Sequence, residues 1–183
     1  MERGCGFRFR YCPACGSGMG VDRACARCGY RQYRNPVAVV AGILLSPSPH
    51  LPPAGIEVVP ERATHILLVR RRGIPAGSWC IPCGYVDYDE EVRAAVAREM
   101  SEETGLVVET ERTWAVHSNV HDPDNRTVGI WFLTRYLGGA LRAADDADRA
   151  GFFPLTEPPQ PLAFPTDRFV LASLAETRGK AGR

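Results

Sequence analysis

The segment 84–106, GYVDYDEEVRAAVAREMSEETGL, constrains the fold more than any other part of the sequence, because it encodes a loop, a helix and a helix stop in succession. Its apolar residues recur at steps of three and four, which places them on one face of an α-helix. These residues are Val92, Ala95, Val96 and Met100. Asp87 or Asp89 is expected to cap the first turn, and Gly105 supplies the stop. The pattern predicts a helix from about residue 90 to residue 104.

Three carboxylates lie on one side of this predicted helix. Glu99, Glu102 and Glu103 occupy positions i, i+3 and i+4, so they repel one another unless a cation is present. Mg²⁺ and Mn²⁺ prefer such oxygen ligands and keep coordination sites for water and phosphate oxygens. Arg98 and Glu90 are spaced to form a pair that orients these ligands and the preceding loop. Taken alone, the acidic run would instead indicate a solvated helix face.

The order of the residues decides between these two interpretations. Glu90 follows Gly84 after five residues, and REMSEETGL (98–106) follows Glu90 after seven, which matches the Nudix signature at every specified position. The chain therefore resembles the Nudix hydrolases. The resemblance implies cleavage of the diphosphate bond of a nucleoside diphosphate derivative, with release of a nucleoside monophosphate. It implies that the three glutamates are ligands of Mg²⁺ or Mn²⁺, that Arg98 and Glu90 support catalysis, and that the backbone carbonyl oxygen of Cys83 is a further ligand.

The rest of the chain alternates strand and helix patterns without a regular βαβ repeat, which is typical of a mixed α+β fold. Strand patterns occur in VAVVAGILL (37–45), HILLVRRR (65–72), LVVETERTWAV, RTVGIWFLTRYL and AGFFPL. The segment 164–178 predicts a closing amphipathic helix, and the Pro-rich segment 46–63 predicts a surface loop or insertion. The resemblance implies the same architecture, the Nudix fold, in which a mixed β-sheet is sandwiched between helices.

Four cysteines near the amino terminus form two Cys-x-x-Cys-Gly turns. They are Cys12, Cys15, Cys25 and Cys28. Two such turns can complete a tetrahedral shell of four thiolates, and Zn²⁺ is the natural occupant of a site that leaves no position for water. The alternative is two redox pairs or disulfides. We therefore expect a structural zinc ribbon over residues 1–34 and a Nudix hydrolase domain over residues 35–183.

A further Cys-x-x-Cys pair, Cys80 and Cys83, stands just before the helix segment. It has three interpretations: a redox pair, half of a metal site, or two small buried residues beside a tight turn. No second pair remains to complete a metal site. The sequence therefore favours the two small buried residues.

The zinc ribbon, the YRNP that follows it and GSWCIPCGY resemble a zinc-ribbon subgroup of the Nudix family that includes ADP-ribose and FAD pyrophosphatases. NADH pyrophosphatases also carry a ribbon, but their SQPWPFP motif is not found in this sequence. The segment most similar to that motif is QPLAFP (160–165). The expected substrate is ADP-ribose, FAD or a similar molecule. The alternatives are hydrolysis of RNA 5′ ends or NAD(H), and a nucleotide-binding regulatory module without turnover.

Several side chains outside the helix are candidates for substrate binding. Arg70 and Arg72 are expected to contact the diphosphate, with strand alternation aiming Arg71 to the other side. Three aromatic residues are candidates for base stacking, although aromatic residues are more often part of a core. These are Trp79, Tyr85 and Phe164. A loop with two histidines, HSNVHDPDN (117–125), is either a recognition loop or a solvated turn.

One position departs from the pattern of many Nudix relatives. Those relatives carry an acidic residue just before the strand Ala-x-Phe/Trp-Phe, whereas Arg149 precedes the strand AGFF (150–153) here. Asp145, Asp146 or Asp148 is expected to replace the missing carboxylate. The identity of the general base is therefore open at this point.

Composition limits the remaining classes. The 183 residues have a net charge of +1, no apolar run long enough to span a bilayer and no signal-peptide pattern, so we expect a cytoplasmic protein that binds no membrane. Seven arginines lie in residues 1–34, but four thiolates on Zn²⁺ would carry a charge of about minus two. We therefore expect the main binding partner to be a small nucleotide, and nucleic acid is only a weak expectation. The resemblance also implies a homodimer.

Overall fold

The computed structural model describes residues 9–33 and 35–180; Arg3, Arg8 and Arg34, the last of these at the expected domain boundary, lie outside this part. The strands are β1 (Val37–Ser46), β2 (His65–Arg71), β3 (Trp79–Cys80), β4 (Cys83–Tyr85), β5 (Leu106–Asn119), β6 (Thr127–Gly139) and β7 (Ala147–Pro154). The helices are α1 (Val92–Thr104) and α2 (Pro165–Lys180), with a short 3-10 turn at Pro60–Arg62.

The strands form a mixed sheet, as predicted, in the order β3-β2-β1-β6-β5. β1 runs parallel to β6, whereas its pairings with β2 and β4 are antiparallel. The end of β1 pairs with β2 at Leu45 and Ser46, while its first half pairs with β4 at Val39, Val40 and Ala41. This division brings the short strand β4, which directly precedes the loop into α1, to the middle of the sheet.

Alternating side chains of β1 enter two separate cores. Val40 and Leu44 pack with residues of α1, and Ile43 and Leu45 pack with residues of α2. Met100 of α1 is fully buried. Burying one such side chain stabilises a fold by about 1.5 to 3 kcal/mol. The sheet is therefore sandwiched between the two helices, which confirms the predicted α+β architecture.

The ends of α1 differ in how well the sequence predicted them. The helix begins at Val92, two residues later than expected, because Glu91 is its cap: the Glu91 carboxylate accepts hydrogen bonds from the backbone N–H groups of Arg93 at 2.8 Å and Ala94 at 3.1 Å. The prediction of Asp87 or Asp89 was wrong. The helix ends at Thr104, followed by Gly105 in the left-handed conformation (φ 70°), as predicted. Glu90 is thus left outside the helix, where its side chain can reach Arg98.

The Pro-rich segment 46–63 is anchored to both cores. Leu51 packs against the α1 core, and Val58 packs against the α2 core. Pro60 and Ala63, at the 3-10 turn, are buried. The segment therefore packs against the cores on both faces of the sheet rather than forming a free surface loop. No helix in residues 9–33 and 35–180 is long and apolar enough to cross a membrane.

Candidate active site

A cavity of about 530 Å³ lies where the second half of α1, the strand β4 and the segment before β7 meet. Its lining includes a set of carboxylates that we call the acidic group: Glu99, Glu102, Glu103, Asp145 and Asp146. The volume falls within the range of about 300 to 1,000 Å³ that is usual for small-molecule sites. The structure thus brings the three predicted glutamates together with two aspartates that are distant in sequence.

Arg98 connects the loop before α1 to two of the glutamates. Its guanidinium donates two hydrogen bonds of 2.8 Å to the two oxygens of Glu90, and a third of 2.9 Å to the carbonyl oxygen of Tyr85. Its Nη1 donates to Glu99 at 2.7 Å and to Glu102 at 2.9 Å. Arg98 lowers the pKa of Glu90, which keeps that carboxylate ionised. The pair predicted from spacing is therefore formed, and it fixes both the loop and the glutamates.

Two of the glutamates are held in surroundings that disfavour their charge. Burial raises the pKa of Glu99 despite the neighbouring Arg98. Glu103 is only 1% exposed, and its pKa is raised to about 10, first by burial and then by Cys83 and Asp146. Buried carboxylates of this kind ionise readily only beside a cation. The site therefore has the electrostatic character of a cation-binding site.

The strand β4 places its backbone directly against these glutamates. The backbone N–H of Cys83 donates a hydrogen bond of 3.1 Å to Glu103. A Cβ built on Gly84 would overlap the carboxyl group of Glu99, so the glutamate occupies space that only glycine leaves free. The main chain of Cys83 thus lies next to the acidic group, where the sequence placed a backbone ligand.

Gly84→Ala is expected to lower kcat/KM by about 10- to 100-fold, the loss typical when a group that positions a ligand is disturbed. The added methyl would displace the Glu99 carboxylate. Steady-state kinetics on the preferred diphosphate substrate measures this loss. Gly138→Ala is the matched control, because a Cβ at that position meets nothing within 4 Å. Equal activity of the two variants would show that the Gly84 contact is unimportant.

The three candidates for the missing acidic residue occupy different environments. Asp148 accepts two hydrogen bonds of 2.7 Å from Arg70 and does not line the cavity. Asp145 and Asp146 do line it, and Asp146 lies 3.3 Å from the Arg71 guanidinium. The geometry therefore favours Asp145 and Asp146 over Asp148 as the replacement.

The arginine run on β2 is oriented differently from the prediction. Arg70 and Arg72 are absent from the cavity lining, and Arg71 is present. The register between β2 and β7 shifts between Arg70 and Arg71, and Arg70 is paired with Asp148 outside the cavity. Arg71 is instead held over the ring of Phe164, 5.3 Å from its centroid. The structure therefore places Arg71, rather than the expected Arg70 and Arg72, in the lining of this cavity.

The three aromatic candidates for base stacking differ in whether they line the cavity. Tyr85 and Phe164 line the cavity, as expected for residues near a substrate. Trp79 does not: it packs edge-to-face on Phe153 at 4.7 Å and belongs to the α2 core. Trp79 therefore agrees with the alternative that the sequence left open, a residue of the core.

Another part of the cavity was not predicted. Trp131 and Asp167 are both almost fully buried and line it. Asp167 accepts hydrogen bonds from the backbone N–H of Ile81 at 3.2 Å and from the Trp131 indole N–H at 3.3 Å. Burial raises the pKa of Asp167 to about 7. In the sequence, Thr166 and Asp167 have the pattern of a helix cap, which gives no signal of a role in a cavity.

The histidine loop lies partly at this site. His121 and Asp122 line the cavity together with Asn119 and Asn125. The Asn125 amide donates a hydrogen bond of 2.6 Å to the Tyr85 hydroxyl, which connects this loop to the one before α1. Of the two interpretations, the one in which 117–125 borders a binding site agrees with this placement.

The four predicted zinc ligands form a compact cluster. The sulfur atoms of Cys12, Cys15, Cys25 and Cys28 all lie within 4.8 Å of one another, the only such metal-ligand group among the described residues. The Cys12–Cys28 and Cys15–Cys25 sulfurs are 3.6 Å apart, and all four thiols are free. A disulfide requires about 2.05 Å. The arrangement therefore fits one shared metal ion rather than two disulfides.

The acidic group beside the backbone of β4 is the kind of arrangement that hydrolytic sites with divalent metal ions use. Comparison with known proteins identifies the family: the NUDIX domain model matches residues 50–173. The chain belongs to the Nudix family, and it is a Nudix pyrophosphohydrolase, as the sequence signature predicted.

Individual relatives agree with this assignment. The ADP-ribose pyrophosphatase of Methanocaldococcus jannaschii is 34% identical over 143 residues, which cover 77% of this chain and 75% of that protein. The NAD-capped RNA hydrolase NUDT12 of Macaca fascicularis is 28% identical over 55% of this chain, which spans only 22% of that protein. A crystal structure of a Nudix hydrolase from Nitrosomonas europaea shares the fold with a TM-score of 0.72 and 23% identity, over 94% of this chain and 93% of that one.

Proposed function

We propose that this protein hydrolyses the diphosphate bond of ADP-ribose or a closely similar nucleoside diphosphate derivative and releases a nucleoside monophosphate. The observation that carries the proposal is the acidic group around a cavity of about 530 Å³, with the cation Arg71 in the same lining. The 34% identity to an ADP-ribose pyrophosphatase over most of both chains supports this substrate class.

Divalent metal ions complete the proposed site. We assign Glu99, Glu102 and Glu103, with the carbonyl oxygen of Cys83, as ligands of Mg²⁺ or Mn²⁺. The donor set fits, because all these atoms are hard oxygens and two of the carboxylates are buried where a cation is needed to keep them charged. Such ions neutralise phosphate oxygens and lower the pKa of bound water.

The protein's own side chains have distinct tasks in this proposal. Arg98 holds Glu99 and Glu102 in place, and Glu90 holds Arg98. Arg71 balances the charge of the diphosphate, which replaces the roles first expected for Arg70 and Arg72. Tyr85 borders the substrate, and Phe164 positions Arg71 through the contact between its ring and the guanidinium.

The reaction itself transfers a phosphoryl group to water. The water oxygen forms a bond to one phosphorus atom, the bond from that phosphorus to the bridging oxygen breaks, and two phosphomonoesters result. The water proton passes to a carboxylate, for which Asp145 and Asp146 are the candidates because they belong to the acidic group and Asp148 is paired with Arg70. A cavity enclosed by carboxylates on several elements can hold the nucleophile and the diphosphate in line.

The cysteine cluster is proposed to hold Zn²⁺ with a structural role, since four thiolates leave no ligand position for substrate. We propose that the zinc ribbon covers residues 1–34 and that the Nudix hydrolase domain covers residues 35–183. The homodimer and the cytoplasmic location stay predictions from the sequence.

Product analysis on a panel of nucleotide diphosphates tests the proposal. With Mg²⁺ or Mn²⁺, ADP-ribose should yield AMP and ribose 5-phosphate faster than FAD and NADH react. RNA with a 5′ NAD cap belongs in the panel because of the partial similarity to an NAD-capped RNA hydrolase. Faster cleavage of capped RNA would establish that alternative instead. Binding of ADP-ribose without any hydrolysis would identify a regulatory module and overturn the proposed activity.

A further inference from the structure

Two polar groups lie at opposite edges of the buried Trp131 ring, the Asn119 amide at one edge and the Asp167 carboxylate at the other. On one edge, a Cβ built on Gly129 would lie 2.6 and 2.7 Å from carbons of the Trp131 six-membered ring and 3.1 Å from the Asn119 side-chain nitrogen. On the other, the indole N–H donates to Asp167, the residue after Thr166. Asn119, Trp131 and Thr166 all line the cavity. They come from the end of β5, from β6 and from the start of α2, so the fold assembles them from distant parts of the chain.

Asn119 and Thr166, which both line this cavity, each have a buried atom without a partner. The Thr166 hydroxyl and the Asn119 side-chain oxygen are enclosed, yet neither makes a hydrogen bond to any of the described residues. Thr166 is only 7% exposed. The Asn119 amide nitrogen, by contrast, donates a hydrogen bond of 2.9 Å to Thr127, which fixes the amide in position. Because native proteins pair nearly all buried polar groups, these two atoms and Arg71 Nε in the same cavity lining require partners that the described residues do not supply, as a bound ligand would.

The lining of this part of the cavity is suited to a ligand that has a flat ring with a polar edge. Trp131 supplies apolar aromatic surface, while Asn119 and Thr166 supply groups that donate and accept hydrogen bonds. A nucleobase has apolar faces and a hydrogen-bonding edge, whereas a ribose presents hydroxyls without an apolar face. Asp167 differs from Asn119 and Thr166, because each of its oxygens already accepts a hydrogen bond, one from Ile81 and one from Trp131.

We propose that Asn119 and Thr166 hydrogen-bond the nucleobase of the substrate and determine which nucleoside the enzyme accepts. The proposal rests on the proposed function, since the metal ions proposed at the acidic group of the same cavity would bind the diphosphate. The base therefore lies between α2 and the end of β5, and the diphosphate reaches from there to α1. No residue of the described range 9–33 lines this cavity.

Thr166→Val tests the proposal because it exchanges the hydroxyl for a methyl of nearly the same size. The affinity for AMP, measured by calorimetry on the full chain with Mg²⁺, should fall about fivefold, as expected for one hydrogen bond. The affinity for ribose 5-phosphate, which lacks the base, should not change. Thr166→Ser retains the hydroxyl and should bind AMP like the wild type. Asn119→Leu should also weaken AMP binding selectively.

Two controls separate recognition from damage to the fold. Thr177→Val makes the same exchange on α2, where the hydroxyl bonds the backbone of its own helix at Ser173, so AMP affinity should stay unchanged. The melting temperature of Thr166→Val should not fall, since no hydrogen bond within the described residues is lost. Equal loss of affinity for AMP and ribose 5-phosphate, or no loss for either, would overturn the proposal.

The outcomes also distinguish this subsite from the proposed reaction. Suppose that ADP-ribose is hydrolysed and neither Thr166→Val nor Asn119→Leu weakens AMP binding. Then the base subsite is wrong and the proposed function stands. If Thr166→Val weakens AMP selectively but no diphosphate in the panel is cleaved, the subsite stands and the proposed function fails.

Discussion

Glu103→Gln is expected to lower kcat for ADP-ribose hydrolysis by at least about 100-fold. Removal of a group that only supports a metal ligand already costs about 10- to 100-fold, and Glu103 is proposed as a ligand itself. Glu103 is the most buried of the three glutamates, and its carboxylate contacts the backbone of Cys83, whose carbonyl oxygen is another proposed ligand. The amide of Gln binds Mg²⁺ more weakly than a carboxylate does, since it carries no charge. Loss of this one ligand should therefore disable the whole metal site.

The fold should tolerate this change. The raised pKa of Glu103, about 10, means that its side chain is neutral near pH 7 in the metal-free protein, as Gln is at any pH. The Gln side-chain oxygen can still accept the hydrogen bond from the Cys83 N–H. The metal-free melting temperature should stay within about 3 °C of the wild type, the shift that about 1 kcal/mol produces in a protein of this size.

Two measurements with one control separate metal binding from stability. Adding Mg²⁺ should raise the melting temperature of the wild type and leave that of Glu103→Gln unchanged, because only a ligand that binds the folded state stabilises it. Glu176→Gln makes the same exchange on the exposed side of α2 and should retain full activity. Full activity of Glu103→Gln would remove Glu103 from the metal ligands.

The features that sequence predicted well depend on local geometry. The glutamates of α1 and the Arg98–Glu90 pair follow from helix spacing over a few residues, and the structure forms them. The cysteine cluster likewise depends on two short turns, in which Gly16 and Gly29 adopt left-handed conformations (φ 72° and 76°). Local spacing fixes the geometry in these cases because the interacting atoms are close in sequence.

Features that depend on packing between distant segments were missed. Strand alternation shows that Arg70 and Arg71 point to opposite sides, but only the pairing of β2 with β7 and the position of Phe164 determine which side faces the cavity. The hydrogen bond from Trp131 to Asp167 spans 36 residues, and that from Ile81 spans 86. Sequence patterns of a helix cap cannot reveal such partners.

The second large effect concerns the cysteine cluster. Cys25→Ser is expected to abolish zinc binding and unfold residues 9–33, because the only buried residues in that range are Cys12 and Cys25 themselves. A segment without an apolar core depends on its metal, and structural zinc contributes about 10 to 16 kcal/mol to the folding of such units. The loss of one thiolate should therefore be sufficient to unfold this part of the chain.

The Nudix domain should survive the same substitution. Its three hydrophobic cores contain no residue of 9–33, so unfolding that segment removes no core contact. Trypsin should cleave Cys25→Ser rapidly at Arg10, Arg23 or Arg27, while the Nudix domain stays resistant and retains Mg²⁺-dependent hydrolysis. Ala26→Ser, an exposed position in the same turn, is the control and should bind one zinc ion per chain, as measured by elemental analysis. A wild-type protein that binds no zinc, or a Cys25→Ser variant that binds as much as the control, would contradict the four-cysteine site.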